Sequence, residues 1–155
     1  MSETSERLEK LGIKLPVRNR KGQRVVDAVI DDDMMYLSLA LPVDADGNSL
    51  YTGKVGTDLS VEEGYQAART CAINALTTIK DYVGELDRVD HIVEVFGMVN
   101  CGADFSSQPA VINGFSDVMV EVFGRRGQHA RMAVGAYALP HNVPVGVKMI
   151  VKLRK

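Results

Sequence analysis

A chain of 155 residues, 46% hydrophobic and 25% charged, is sized for one globular domain with its own core. The formal net charge of -2 and a pI of about 5.9 leave no overall positive field to draw nucleic acid or an anionic membrane, and no apolar run approaches the roughly 18 residues that span a bilayer. Cys71 and Cys101 stand in no paired metal-ligand spacing, and the charged opening MSETSERLEKLGIKLP lacks the apolar core of a signal peptide, so a reduced, cytoplasmic protein without disulfides, metal or other cofactor is expected.

In chain order, Ser2 to Leu11 is predicted to form a short helix, followed by an irregular basic arm through Pro16, Arg18, Asn19, Arg20, Lys21 and Gly22. Residues 1–22 are thus the leading helix and arm of a single domain, 1–155. Arg24 to Ile30 and Met34 to Pro42 are rich in bulky apolar residues, and Asp31, Asp32 and Asp33 separate them as a turn does, which predicts a hairpin. The turn residues of Asp44 to Gly56 predict a loop.

Val61 to Val83 places Tyr65, Ala68, Ala72, Ala75, Leu76 and Ile79 at steps of three and four, the mark of one buried helical stripe. Ser60 and Glu63 form a capping box ahead of it and Gly84 can close it. Asp90 to Asn100 reads as a strand from its Val, Ile and Phe content. Pro109 to Phe123 reads as a second helix, with Pro109 at its start, Gly124 beyond its end, and Gly114 in its interior at a cost of about 1 kcal/mol relative to Ala. Ala130 to Ala138 and Val143 to Val151 are strand-like runs around Leu139, Pro140, His141 and Asn142, which predicts a second hairpin. The order ββ-α-β-α-ββ gives an α+β fold, with two helices packed on one face of a mixed sheet of about five to six strands.

Arg131 is the residue of greatest chemical interest. At period two it shares a strand face with Ala133, Gly135 and Tyr137, opposite Met132, Val134 and Ala136. A guanidinium beside small residues can hold a carboxylate by two parallel hydrogen bonds; an exposed strand arginine paired with a neighbouring glutamate fits the same pattern. His91, His129 and His141 are scattered without the i, i+4 spacing of a helical metal site and are taken as ordinary surface histidines. Cys71 and Cys101 are taken as inert. No G-x-G-x-x-G or P-loop is present, and Arg125 with Arg126 is too short a run for a nucleic-acid site.

Several segments, in order, resemble the Rid (YjgF-like) family of reactive-intermediate deaminases. ARMAVGAYALPHNVPVGVKMIV, from Ala130 to Val151, is similar to the family's C-terminal signature, with Leu139 and Pro140 in register with Arg131. MMYLSLALP resembles the strand that carries S-G-Q in the family, PAVINGFSDVMVEVFG resembles its second helix with Asn113 at an Asn position, and LEKLGIKLP resembles its longer branch. The resemblance implies a chorismate-mutase-like fold and a homotrimer with a small-molecule cleft between each pair of subunits. It also implies that Arg131 binds the carboxylate of an enamine-derived 2-imino acid, which water hydrolyses to a 2-keto acid and ammonia.

The sequence departs from the family pattern around that cleft. Gly146 stands where many deaminases have a water-orienting Glu, with Lys148 two residues on; Leu39 and Ala40 follow Ser38 in place of Gly and Gln; Val25 replaces an N-terminal aromatic. The implied site is therefore Arg131 as the catalytic clamp, with Asn113, Ser38, Leu39, Gly146 and Val25 binding the substrate. An imine deaminase and a non-catalytic trimer that binds or senses a small organic acid are the two functions these residues admit; endoribonuclease activity ranks last, for want of a basic stripe.

Overall fold

Ser60 begins the longest helix by the reciprocal bonding its sequence predicts: its hydroxyl oxygen accepts from the Glu63 amide at 3.1 Å, and the Glu63 carboxylate accepts from the Ser60 amide at 2.7 Å. In the computed structural model, which describes residues 2–155, the helices are α1 (Glu3–Lys10), α2 (Val61–Val83) and α3 (Gln108–Phe123). The strands are β1 (Ala28–Asp31), β2 (Met34–Leu37), β3 (Val89–Asn100), β4 (Ala130–Ala136) and β5 (Val145–Leu153). The α+β class, the mixed sheet and both long helices follow the sequence reading. The first hairpin also forms, shorter than expected, because Arg24 to Asp27 finds no strand partner before β1 begins.

The strands lie in the order β1-β2-β5-β3-β4. All neighbours are antiparallel except β3 and β4, which run parallel with Val95 beside Arg131. The second hairpin expected between Ala130 and Val151 is therefore corrected. β4 follows β3 through α3, the long crossover that parallel strands require, and β5 then pairs on the other side of β3. The Leu139–Asn142 segment, with His141 and Asn142 at φ +56°, carries the chain across the end of β3 and is not a hairpin turn.

One sheet face is buried by α2 and α3. Ile92, Val95 and Val99 of β3 and Val145, Val147, Met149 and Val151 of β5 point into it and meet Leu76, Ile79, Phe115 and Met119. The period-two pattern of each strand thus supplies one wall of the core and the helical stripes supply the other. Gly114, the costly interior glycine, sits where α2 and α3 approach most closely. A Cβ there would lie 2.9 Å from the Tyr65 carbonyl carbon and closer still to its oxygen. Outside this crossing, the Tyr65 hydroxyl donates to Asp117 at 2.5 Å and Arg69 pairs with Glu121 at 3.1 Å.

The opposite sheet face carries Phe96, Met98, Met132, Val134, Ile150, Tyr36 and Val29 in adjacent rows, as the strand registers dictate. Met132 is 54% exposed and Val29 55%. No helix of the described residues is long and apolar enough to cross a membrane.

Candidate functional site

Arg131 leaves β4 on the helix-facing side, beside Val95, and reaches the exposed flank of α3. Its Nη1 donates to the Asn113 side-chain oxygen at 2.7 Å and to the Ser116 hydroxyl oxygen at 3.2 Å. Both partners are neutral. No carboxylate among the described residues pairs with the guanidinium, so the surface ion pair that the strand pattern also admitted is not formed. Arg131 and Asn113, two of the residues singled out from the sequence, are in direct contact.

The same contact brings in Ser116, which the sequence reading passed over, and His129, which it took as an ordinary surface histidine. Ser116 lies one helical turn after Asn113, and its hydroxyl is 2.9 Å from His129 Nε2. His129 Nδ1 lies 2.6 Å from the Gly127 carbonyl oxygen, which can only accept, so Nδ1 carries the proton. Burial, foremost, and the neighbouring Arg131 charge hold His129 below the usual histidine range, while the bond to Gly127 works the other way. The ring is thus neutral at pH 7, with the lone pair of Nε2 accepting from Ser116. His129 is half-buried and bonded at both nitrogens, not an ordinary surface histidine. The signal was spacing: His129 precedes Arg131 by the strand period of two, and Ser116 follows Asn113 by the helical step of three.

Val25, Ser38 and Leu39 gather elsewhere, in a cleft of about 310 Å³ that Arg18, Arg24 and His141 also line. The basic arm forms one wall of this cleft. Arg20 fastens the arm by pairing with both Asp27 and Asp81 of α2. The Ser38 hydroxyl donates to the Val26 carbonyl at 2.7 Å, while Val25 is 73% exposed. Gly146 lies on β5 beneath Leu39, and a Cβ at that position would come within 3.1 Å of the Leu39 side chain. Leu39 and Gly146 are fitted to each other: the leucine occupies space that a longer side chain at 146 would need.

The predicted residues therefore form two groups within one chain. Strand spacing of about 4.8 Å puts Gly146 roughly 10 Å from the β4 backbone, with β3 between them. Gly146 also faces the uncovered side of the sheet, whereas Arg131 faces the helices.

The other polar groups divide similarly. His91 is exposed and pairs with Asp90 at 2.7 Å, and exposed His141 lines the Leu39 cleft. Cys71 is fully buried, and burial pushes its thiol well above the ordinary value. Cys101 is buried beside Gln108 at the floor of a separate cleft with Lys54 and Tyr137.

Comparison with known proteins places this geometry in context. The model of a family described as "YjgF/chorismate_mutase-like, putative endoribonuclease" matches residues 6–153. Protein TCP17 of Trypanosoma cruzi is 38% identical over 147 residues, covering 94% of this chain and 91% of its own length. The crystal structure of Atu1372 from Agrobacterium tumefaciens, a protein of unknown function, superposes with a TM-score of 0.90 at 35% identity, covering 97% of this chain and 92% of the other. A Shewanella oneidensis protein described as a "putative endoribonuclease" superposes at 0.91 with 30% identity, over 98% and 100% of the two chains.

Proposed function

Because the chain belongs to the YjgF/chorismate-mutase-like, or Rid, family, we propose that it is a hydrolytic deaminase of 2-imino acids, with Arg131 holding the substrate carboxylate. The observation that carries this reading is a guanidinium ordered by two neutral partners, Asn113 and Ser116, and left without a carboxylate. Such a group is pre-oriented for an incoming anion: the side-chain ordering is already complete, and Nη2 and Nε are free to form a bidentate pair. Fixing the carboxylate aims the neighbouring C=N carbon at a positioned water, so proximity and electrostatic orientation supply catalysis without a covalent nucleophile.

The site is completed by a second copy of the chain in a homotrimer. Two features support this: Gly146 and Arg131 face opposite sides of the sheet, and the uncovered face presents Met132, Tyr36 and Val29 to solvent. Packing that face against its symmetry mates buries it and brings the Val25, Ser38, Leu39 and Gly146 group of one subunit toward the Arg131 of another. The Leu39 side chain over Gly146 makes that side of the cleft apolar, which fits a substrate with a hydrocarbon side chain.

The fit of Leu39 against Gly146 also favours a second reading, a trimer that binds small organic acids without turning them over, since the water-orienting acid common in the family has neither a side chain nor room here. The net charge of -2 weighs against RNA as substrate, because RNA binding rests on a cationic track. Ammonia release from enzymatically generated 2-imino acids separates the readings. The deaminase releases ammonia above the buffer rate, and Arg131→Ala weakens 2-keto acid binding by about 1.5–3 kcal/mol, the worth of charged hydrogen bonds. Binding of keto acids with no ammonia release for any amino-acid precursor establishes the carrier instead.

A further inference from the structure

We propose that Ser116 and His129 are the proton relay of this site, doing from the α3–β4 side the work that an acid at position 146 does elsewhere in the family. The inference rests on the deaminase reading. It starts from three bonds in series: Arg131 Nη1 to Ser116 Oγ at 3.2 Å, Ser116 Oγ to His129 Nε2 at 2.9 Å, and His129 Nδ1 to the Gly127 carbonyl at 2.6 Å. The carbonyl fixes the tautomer, as the orienting group of a serine–histidine pair must, and leaves Nε2 as the base. The guanidinium that would clamp the substrate through Nη2 and Nε touches the hydroxyl at the outer end of the relay through Nη1, so Ser116 reaches the 2-imino acid through the attacking water, across the width of the guanidinium. His129 and Ser116 are both half-buried, while Arg131 at the outer end is exposed.

The chemistry balances with water as the co-reactant. The water oxygen bonds to the imine carbon as the C=N π pair moves to nitrogen; the water proton passes to Ser116 Oγ, and the serine proton passes to His129 Nε2. Returned through the same hydroxyl, that proton neutralises the nitrogen and gives the carbinolamine. In the second half the carbinol hydroxyl gives its proton to the relay, the relay protonates the amine, and the C–N bond breaks with its electron pair leaving on ammonia. The C=O bond of the 2-keto acid forms as it does so. No redox partner or metal takes part in these steps, and the enzyme returns to its starting protonation.

Positioned general acid–base groups contribute about 10²–10⁴-fold, so His129→Gln should lower kcat about a hundredfold while leaving the affinity for a 2-keto acid, read by calorimetry, at the wild-type value. Ser116→Ala should lower kcat comparably, with a smaller loss of 2-keto acid affinity because the same hydroxyl also orders Arg131, and Ser116→Thr should restore turnover. Added imidazole should rescue His129→Gly, an effect that a purely structural histidine would not give. Wild-type kcat in His129→Gln, with Arg131→Ala inactive, overturns the relay and leaves the deaminase standing. Ammonia release absent from the wild-type chain itself removes both. Loss of keto-acid binding in His129→Gln and Ser116→Ala alike, without imidazole rescue, assigns the pair to holding Arg131 and overturns the relay as well.

Discussion

Arg131 is useful because of what it does not touch. An arginine neutralised by glutamate would have to break that pair before taking a substrate; one held by an amide oxygen and a hydroxyl keeps its full charge available. His129 pays for its place beside that charge with an acid sensitivity. Its folded-state pKa lies below the ordinary value of about 6.5, so between the two the unfolded chain binds more protons than the folded one. The resulting destabilisation is absent above about pH 6.5, grows as pH falls through that value, and is complete below the folded-state pKa. Thermal melts from pH 7.5 down to pH 5 should show His129→Gln losing less stability than the wild-type chain. At Gly146, restoring a carboxylate by Gly146→Glu alone should fail to raise ammonia release, since Leu39 blocks the space; combined with Leu39→Gly it should raise it, as a steady-state assay of the pair would reveal.

At the level of elements, the close crossing of α2 and α3 decides the sign of a substitution that propensity alone gets wrong. Gly114→Ala gains about 1 kcal/mol of helix propensity, but its methyl meets the Tyr65 carbonyl, and overpacking of this kind costs about 1–3 kcal/mol or more. Urea titration should therefore find the variant less stable than wild type by about 1–2 kcal/mol. The two long helices were legible in the sequence because their start, stripe and stop signals are all local: Ser60 with Glu63, the apolar steps of three and four, Gly84. The glycine at 114 signalled a close approach without naming its partner. The pairing of β4 was not legible, because a short turn-like segment reads the same whether it joins neighbours or passes over an intervening strand. His129 was missed for a different reason. Its role depends on a helix and a strand meeting, and only the period-two step to Arg131 hinted at it.

For the whole molecule, the uncovered sheet face and the division of the predicted site across it argue for the same assembly. Light scattering at micromolar concentration should give three times the 16.9 kDa chain mass. Met132→Glu with Tyr36→Glu, which places charges among the exposed apolar rows, should yield monomers that keep the fold by circular dichroism and lose ligand binding; a stable wild-type monomer would remove the intersubunit cleft.

The strand order also governs how the molecule can be made. β5 is the last strand in the sequence yet lies between β2 and β3, and it is the sole link between the β1–β2 hairpin and the remainder of the sheet. While the chain is being synthesised, β3, α3 and β4 can assemble with α2, but Met34 to Tyr36, paired with β1 on one side, have no strand on the other until Val145 to Leu153 has left the ribosome. The hairpin waits through more than a hundred residues with an apolar edge unpaired, a long-range closure of the kind that slows folding and exposes chains to aggregation. Nascent chains halted before β5 should consequently be bound by chaperones and cut early by protease within the hairpin, and release of those few residues should protect it in a single step.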